Sequence, residues 1–187
     1  MPDPMLVGVG SSATYPSLTL TALPAAASGN ETITLNATVP TGLSIQFLPN
    51  SVKLNTDSRA SVGLVVNSSQ SMTPGDYTVK VGLSYGGVSK FTSITARVVQ
   101  YLIYETGNAF SPSALTVKQG STVYWINLDT PGADPEIHQV NFTSGASAVS
   151  ADMMQFDTYH YTFTTPGTYA YLCKYHVGMR GTITVTA

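Results

Sequence analysis

Apolar and polar residues alternate along most of the chain. Between residues 31 and 39, Ile33, Leu35 and Ala37 fall on one parity and Thr32, Thr34, Asn36 and Thr38 on the other. A period of two is the pattern of a strand with one buried face, because successive side chains point to opposite sides of a sheet. The pattern predicts strands over 15–23, 31–39, 43–48, 51–54, 59–66, 77–85 and 88–99. Within 77–85 the residues Tyr77, Val79, Val81 and Leu83 share a face, and within 88–99 Phe91 and Ile94 are assigned to the core. Turn chemistry separates the runs: Pro49-Asn50, then Thr73-Pro74-Gly75-Asp76, then Gly86-Gly87, a two-residue hairpin connection.

The second half is patterned in the same way. Strands are predicted over 102–105, 122–127, 137–142, 159–164, 169–173 and 181–186, with a bend, strand and turn over 110–120. A Pro/Gly/Asp loop is expected over 128–136 and a loop of small residues over 144–157. Helix-period segments are hard to find, so the chain reads as all-β. Val98-Val99-Gln100-Tyr101 passes between the halves without a Pro/Gly/Ser-rich linker, and two domains are expected, 1–99 and 100–187. Seven or eight short strands in the first hundred residues is the signature of an immunoglobulin-like β-sandwich. The paired cysteines of true immunoglobulin domains are absent from it.

Composition narrows the function. Hydrophobic residues make up 43% of the chain and the net charge is -2, enough apolar material for a core and too little charge for disorder. Residues 1–99 carry five basic and four acidic side chains, and residues 100–187 three and six, so there is no basic footprint for nucleic acid. No uninterrupted apolar run is long enough to span a membrane. No leader is recognisable, so an exported protein would have lost it already. The sequons at Asn30, Asn36, Asn67 and Asn141, with low charge and abundant Ser and Thr, fit an extracytoplasmic protein, periplasmic or cell-surface.

The chemistry gathers near the C-terminus. Cys173, the only cysteine, is followed by His176 and Met179 at intervals of three. Thiolate, imidazole and thioether on one short loop form a soft ligand set, and His138 upstream offers a second imidazole. Two histidines, one cysteine and a weak axial methionine constitute a type 1 (blue) copper electron-transfer site. Parity places Tyr169, Tyr171 and Cys173 on one inward face, so Cys173 is delivered from a core position. The remaining histidine, His160, lies among Tyr159, Tyr161 and Phe163 on the opposite parity and is expected at the surface, not as a ligand. Met153 and Met154 are assigned to packing rather than to metal. The first hundred residues contain no histidine and no ligand cluster, so a scaffold, spacer or docking role is expected there.

Residues 102–187 resemble the cupredoxins, in particular the plastocyanin/amicyanin group. The matching segments are FSPSALTVKQGSTVYWIN, IHQV, YTFTTPGTYAYLCKYH and MRGTITV, and the Cys-x₂-His-x₂-Met spacing is most similar to the short ligand loop of amicyanin. The resemblance implies a Greek-key β-sandwich or barrel, one copper ion held by His138, Cys173, His176 and Met179, and one-electron transfer between Cu(II) and Cu(I). It implies no enzyme activity. It also implies an N–H from Gln139 directed at the sulfur, where the family usually has Asn. Redox partner proteins are expected to dock near His176, framed by Tyr175, Val177, Gly178 and Met179. Lys174 and Arg180 stand beside it, where they could meet an acidic partner patch. A copper carrier or scavenger, or a small copper oxidoreductase, are the alternatives. The run Ser71 to Leu83 loosely resembles a hairpin of bacterial and archaeal surface domains. That implies a first domain able to dock a partner or surface polymer, and a full-length protein associated with membrane or surface.

Overall fold

The computed structural model describes residues 3–21, 31–54, 59–130 and 136–187, and every regular element among them is a β-strand. The Asn30 sequon, the end of the strand expected over 15–23 and residues 131–135 of the expected loop lie outside the described residues. Contacts divide the chain into two compact units, 1–99 and 100–187.

The first unit contains β1 (Met5–Gly8), β2 (Ser12–Thr21), β3 (Glu31–Thr38), β4 (Leu43–Leu48), β5 (Ser51–Leu54), β6 (Arg59–Ser68), β7 (Gly75–Tyr85) and β8 (Val88–Val99). They form a five-stranded sheet in the order β1-β8-β7-β3-β5 and a three-stranded sheet β2-β6-β4. Alternation explains the inward set of β6, where Val62, Leu64 and Val66 are buried and their neighbours are not. Strand β1 has no alternation because all four of its residues are buried, and it pairs in parallel with the end of β8. Phe91 is not in the core: it is 59% exposed. Positions three apart on a strand face opposite sides, and Phe91 pairs with Gly82, which has the parity opposite to buried Val79 and Val81.

The second unit contains β9 (Tyr101–Thr106), β10 (Ala109–Ser111), β11 (Ala114–Lys118), β12 (Thr122–Asn127), β13 (Asn141–Ser144), β14 (Thr158–Thr162), β15 (Gly167–Leu172) and β16 (Arg180–Thr186). One sheet runs β10-β9-β12-β14 and the other β11-β16-β15-β13. The pairs β9–β12 and β11–β16 are parallel and the rest antiparallel. An aromatic core surrounds Trp125, which meets Phe142 and Tyr171 edge-on at centroid distances of 6.1 and 5.5 Å. Edge-to-face pairs of this kind contribute roughly 0.5–1.5 kcal/mol each beyond the area they bury. The strand expected over 137–142 is shorter than its apolar pattern, since the ladder begins only at Asn141. His138 instead makes an isolated bridge to Met153, with N–H···O distances of 3.0 and 2.8 Å in the two directions.

Candidate metal centre

Strand β15 ends at Leu172, and Cys173 continues its inward parity: Tyr169, Tyr171 and Cys173 are all buried. The chain then turns back on itself. Cys173 N–H donates to the Met179 carbonyl at 3.0 Å, and Met179 N–H donates to the His176 carbonyl at 3.2 Å. Gly178 sits in this turn at φ 97°, a left-handed conformation that favours glycine. Just beyond, Gly181 pairs with Tyr171, whose ring and hydroxyl occupy the space where a β-carbon would stand. A side chain at residue 181 would displace Tyr171 from the core directly behind the loop.

Three donor residues converge here. Sγ of Cys173 lies 3.8 Å from Nδ1 of His138 and 3.6 Å from Nδ1 of His176. The ligand atoms of the three residues lie within 4.8 Å of one another. Imidazole bonds of about 2.0–2.1 Å and a thiolate bond of about 2.3 Å, spread trigonally, would separate nitrogen and sulfur by about 3.8 Å. The donor set therefore fits one ion at its centre, and its softness, one thiolate with two imidazoles, suits copper. Met179 is buried in the same loop. His160 is exposed on β14, stacked on Tyr124 at a centroid distance of 5.4 Å, and Met153 is buried in the aromatic core.

Residues beyond the four named from sequence shape the centre. Nε2 of His138 is 2.8 Å from Oδ2 of Asp129, so its N–H faces a carboxylate and the Nδ1 lone pair is left for a metal. Asp129 also accepts the Gly107 N–H at 2.6 Å and the Asn108 N–H at 3.5 Å. Partial burial pushes its carboxyl up, but the hydrogen bonds from Gly107, His138 and Asn108 outweigh that and hold it below the ordinary aspartate range. Asn127, fully buried at the end of β12, fixes the surrounding loops. Its Nδ2 donates to the carbonyls of Glu136 at 2.8 Å and Met153 at 2.9 Å, and its Oδ1 accepts the Asp129 N–H at 2.9 Å. Sequence marked 128–136 only as a loop. Its acidic residues were the one available signal, and nothing in their spacing says which carboxylate meets His138.

The outer side of the centre is partly open. His176 is half-buried, and its Nε2 lies 3.5 Å from Oε2 of Glu136. The side chain of Gln139 donates to Asp152 at 3.1 Å, and a hydrogen bond with the same Asp152 raises the Tyr175 hydroxyl above its ordinary range. Val177 is fully exposed beside them.

The sequence profile of the copper binding proteins of the plastocyanin/azurin family matches residues 99–186. The chain is 36% identical to the plastocyanin of Scenedesmus fuscus over 83 residues, which cover 41% of this chain and 85% of that protein. The chain belongs to this family. As a cupredoxin it is also similar to the amicyanin of Paracoccus denitrificans, 43% identical over 75 residues, 38% of this chain and 53% of the amicyanin. It thus spans about half of amicyanin's length. Among solved structures, the purple cupredoxin from Nitrosopumilus maritimus aligns at 24% identity and a TM-score of 0.42, over 46% of this chain and 100% of that one. Family membership and the His–Cys–His cluster together support a copper-binding electron-transfer protein.

Proposed function

We propose that residues 100–187 form a cupredoxin domain with a mononuclear type 1 copper centre held by His138, Cys173, His176 and Met179. The observation that carries this reading is the convergence of Nδ1 of His138 and Nδ1 of His176 on the single buried thiol, at 3.8 and 3.6 Å. Copper, when bound, supplies a one-electron Cu(II)/Cu(I) couple. The chain supplies the rest. Cys173 and His138 are fixed from buried backbone, and Asp129 holds the His138 ring in one tautomer and orientation. A site held this firmly reorganises little when an electron arrives or leaves. Met179 offers its thioether as the weaker fourth ligand.

His176 reaches the surface and is the natural exit for the electron. Tyr175 and Val177, its neighbours in the chain, leave a small exposed apolar surface suited to a transient redox partner. Lys174 and Arg180 are exposed beside it and would steer an acidic partner. Similarity to plastocyanin and amicyanin supports a working place outside the cytoplasm. The first unit, read as an immunoglobulin-like sandwich over 1–99, is a spacer or docking module.

Voltammetry of the copper-loaded protein tests the reading. A reversible one-electron wave, with copper retained against a strong chelator through repeated cycles, is expected. Ready loss of the metal to the chelator would mark a carrier or scavenger instead.

A further inference from the structure

The interior of the second unit contains a carboxyl group that the metal centre does not use. Glu105 and Ile103 share the inward parity of β9, and both are 0% exposed. Neither oxygen of Glu105 has a hydrogen-bond partner among the described residues. A buried carboxylate left unpaired is among the least favourable groups a core can hold, and such a group keeps its proton instead.

Among the described residues, few titratable groups face Glu105. Asp129, on the loop after β12, is a carboxylate that adds to its cost of ionising, and Tyr171, pushed up first by burial, is raised further by the charge Glu105 would carry. Asn127, its neighbour on β12, is neutral and spends its amide on Glu136 and Met153. None of these is a cation. Asp129 also bonds Nε2 of His138, so one side chain interacts with both the buried acid and the metal centre.

Resting on the copper reading above, we propose that Glu105 is a buried proton-binding site coupled to the metal centre, taking up a proton when the centre is reduced. Burial, and after it the charge of Asp129, push the Glu105 carboxyl up to about 8. It is therefore neutral over most of the physiological range and ionises at its alkaline edge. An electron delivered by the redox partner makes the centre one unit more negative. The added charge raises the proton affinity of Glu105. Between its oxidised-state and reduced-state pKa values, one electron enters the centre and one proton from solvent forms an O–H bond on Glu105; no bond breaks. The like charge added to the centre makes the proton affinity of Glu105 higher in the reduced state. Each tenfold of that difference corresponds to about 59 mV of reduction potential.

The full chain and its Glu105→Gln variant test this, with Glu105→Leu as a second variant if the first does not fold. The infrared carbonyl band of a protonated carboxylic acid should be present in the metal-free protein at neutral pH and lost in the variant. Because the folded carboxyl holds its proton to a higher pH than the unfolded one, wild-type stability should fall relative to the variant as pH rises from about 4.5 to about 8, then level off. In the copper-loaded protein the potential should fall as pH rises through this alkaline range, with a slope of up to about 59 mV per pH unit, and the variant should lack that fall. A missing carboxylic-acid band, or the same potential–pH curve in both proteins, overturns the proposal. Failure to bind copper at all overturns the coupling together with the copper reading, while the band and the stability difference still decide whether Glu105 carries a proton. A copper centre that cycles normally with a pH-independent potential removes the coupling alone.

Discussion

Nε2 of His138 lies 2.8 Å from Oδ2 of Asp129, and that contact decides which nitrogen of the ring faces Cys173. With Nε2 donating to the carboxylate, Nδ1 keeps its lone pair and lies 3.8 Å from the sulfur. A carboxylate behind a metal-binding imidazole also raises its basicity.

Asp129→Ala should therefore weaken copper binding by about 10–100-fold, the usual effect of removing such a partner. Competition with a chelator of known affinity measures it. Unchanged affinity would mean that the Met153 bridge alone orients His138.

Copper should stabilise the second unit. Binding to the folded chain alone adds about 2.7 kcal/mol when free metal exceeds the dissociation constant a hundredfold. For a unit of this size that raises the melting temperature by roughly 10 °C or more. Trp125 is the only tryptophan and is buried in the second unit, so its fluorescence reports this transition.

Met179→Leu should keep the colour of the copper-loaded protein and raise its reduction potential, because a thioether near the metal favours Cu(II) over Cu(I) more than a hydrocarbon does. A fall in potential would show that Met179 is not the axial ligand.

Two glycine and aromatic positions give opposite stability expectations. Gly181→Val should destabilise by about 1–3 kcal/mol or more, since it must displace the buried ring of Tyr171. Phe91→Ser should change stability by no more than about 0.5 kcal/mol, because Phe91 lies largely in solvent. Chemical denaturation of each variant checks both.

Much of the fold was legible from the period of two. The bounds expected for 43–48, 51–54, 88–99 and 122–127 coincide with β4, β5, β8 and β12, where turn residues and alternation agree. Strand β1 was not legible, because Met-Leu-Val-Gly has no alternation and its partner is some ninety residues away. Phe91 departs from the core expected for a strand aromatic because its parity on the ladder is opposite to that of Val79 and Val81. At the site, the spacing of Cys173, His176 and Met179 and the lone upstream His138 pointed to the chemistry. The structure brings the two histidines and the cysteine together. Asp129, Asn127 and Glu105 stayed hidden for a common reason: a polar residue's partner, or its lack of one, is set by contacts across the sandwich and leaves no local pattern.

The most direct measurement is the visible absorption spectrum as Cu(II) is added to the full chain and to Cys173→Ser. An intense thiolate-to-copper charge-transfer band that saturates at one copper per chain, survives in His160→Ala and is absent from Cys173→Ser is the predicted result. A copper complex without that band, or with the same spectrum in Cys173→Ser, would contradict a type 1 centre built on Cys173.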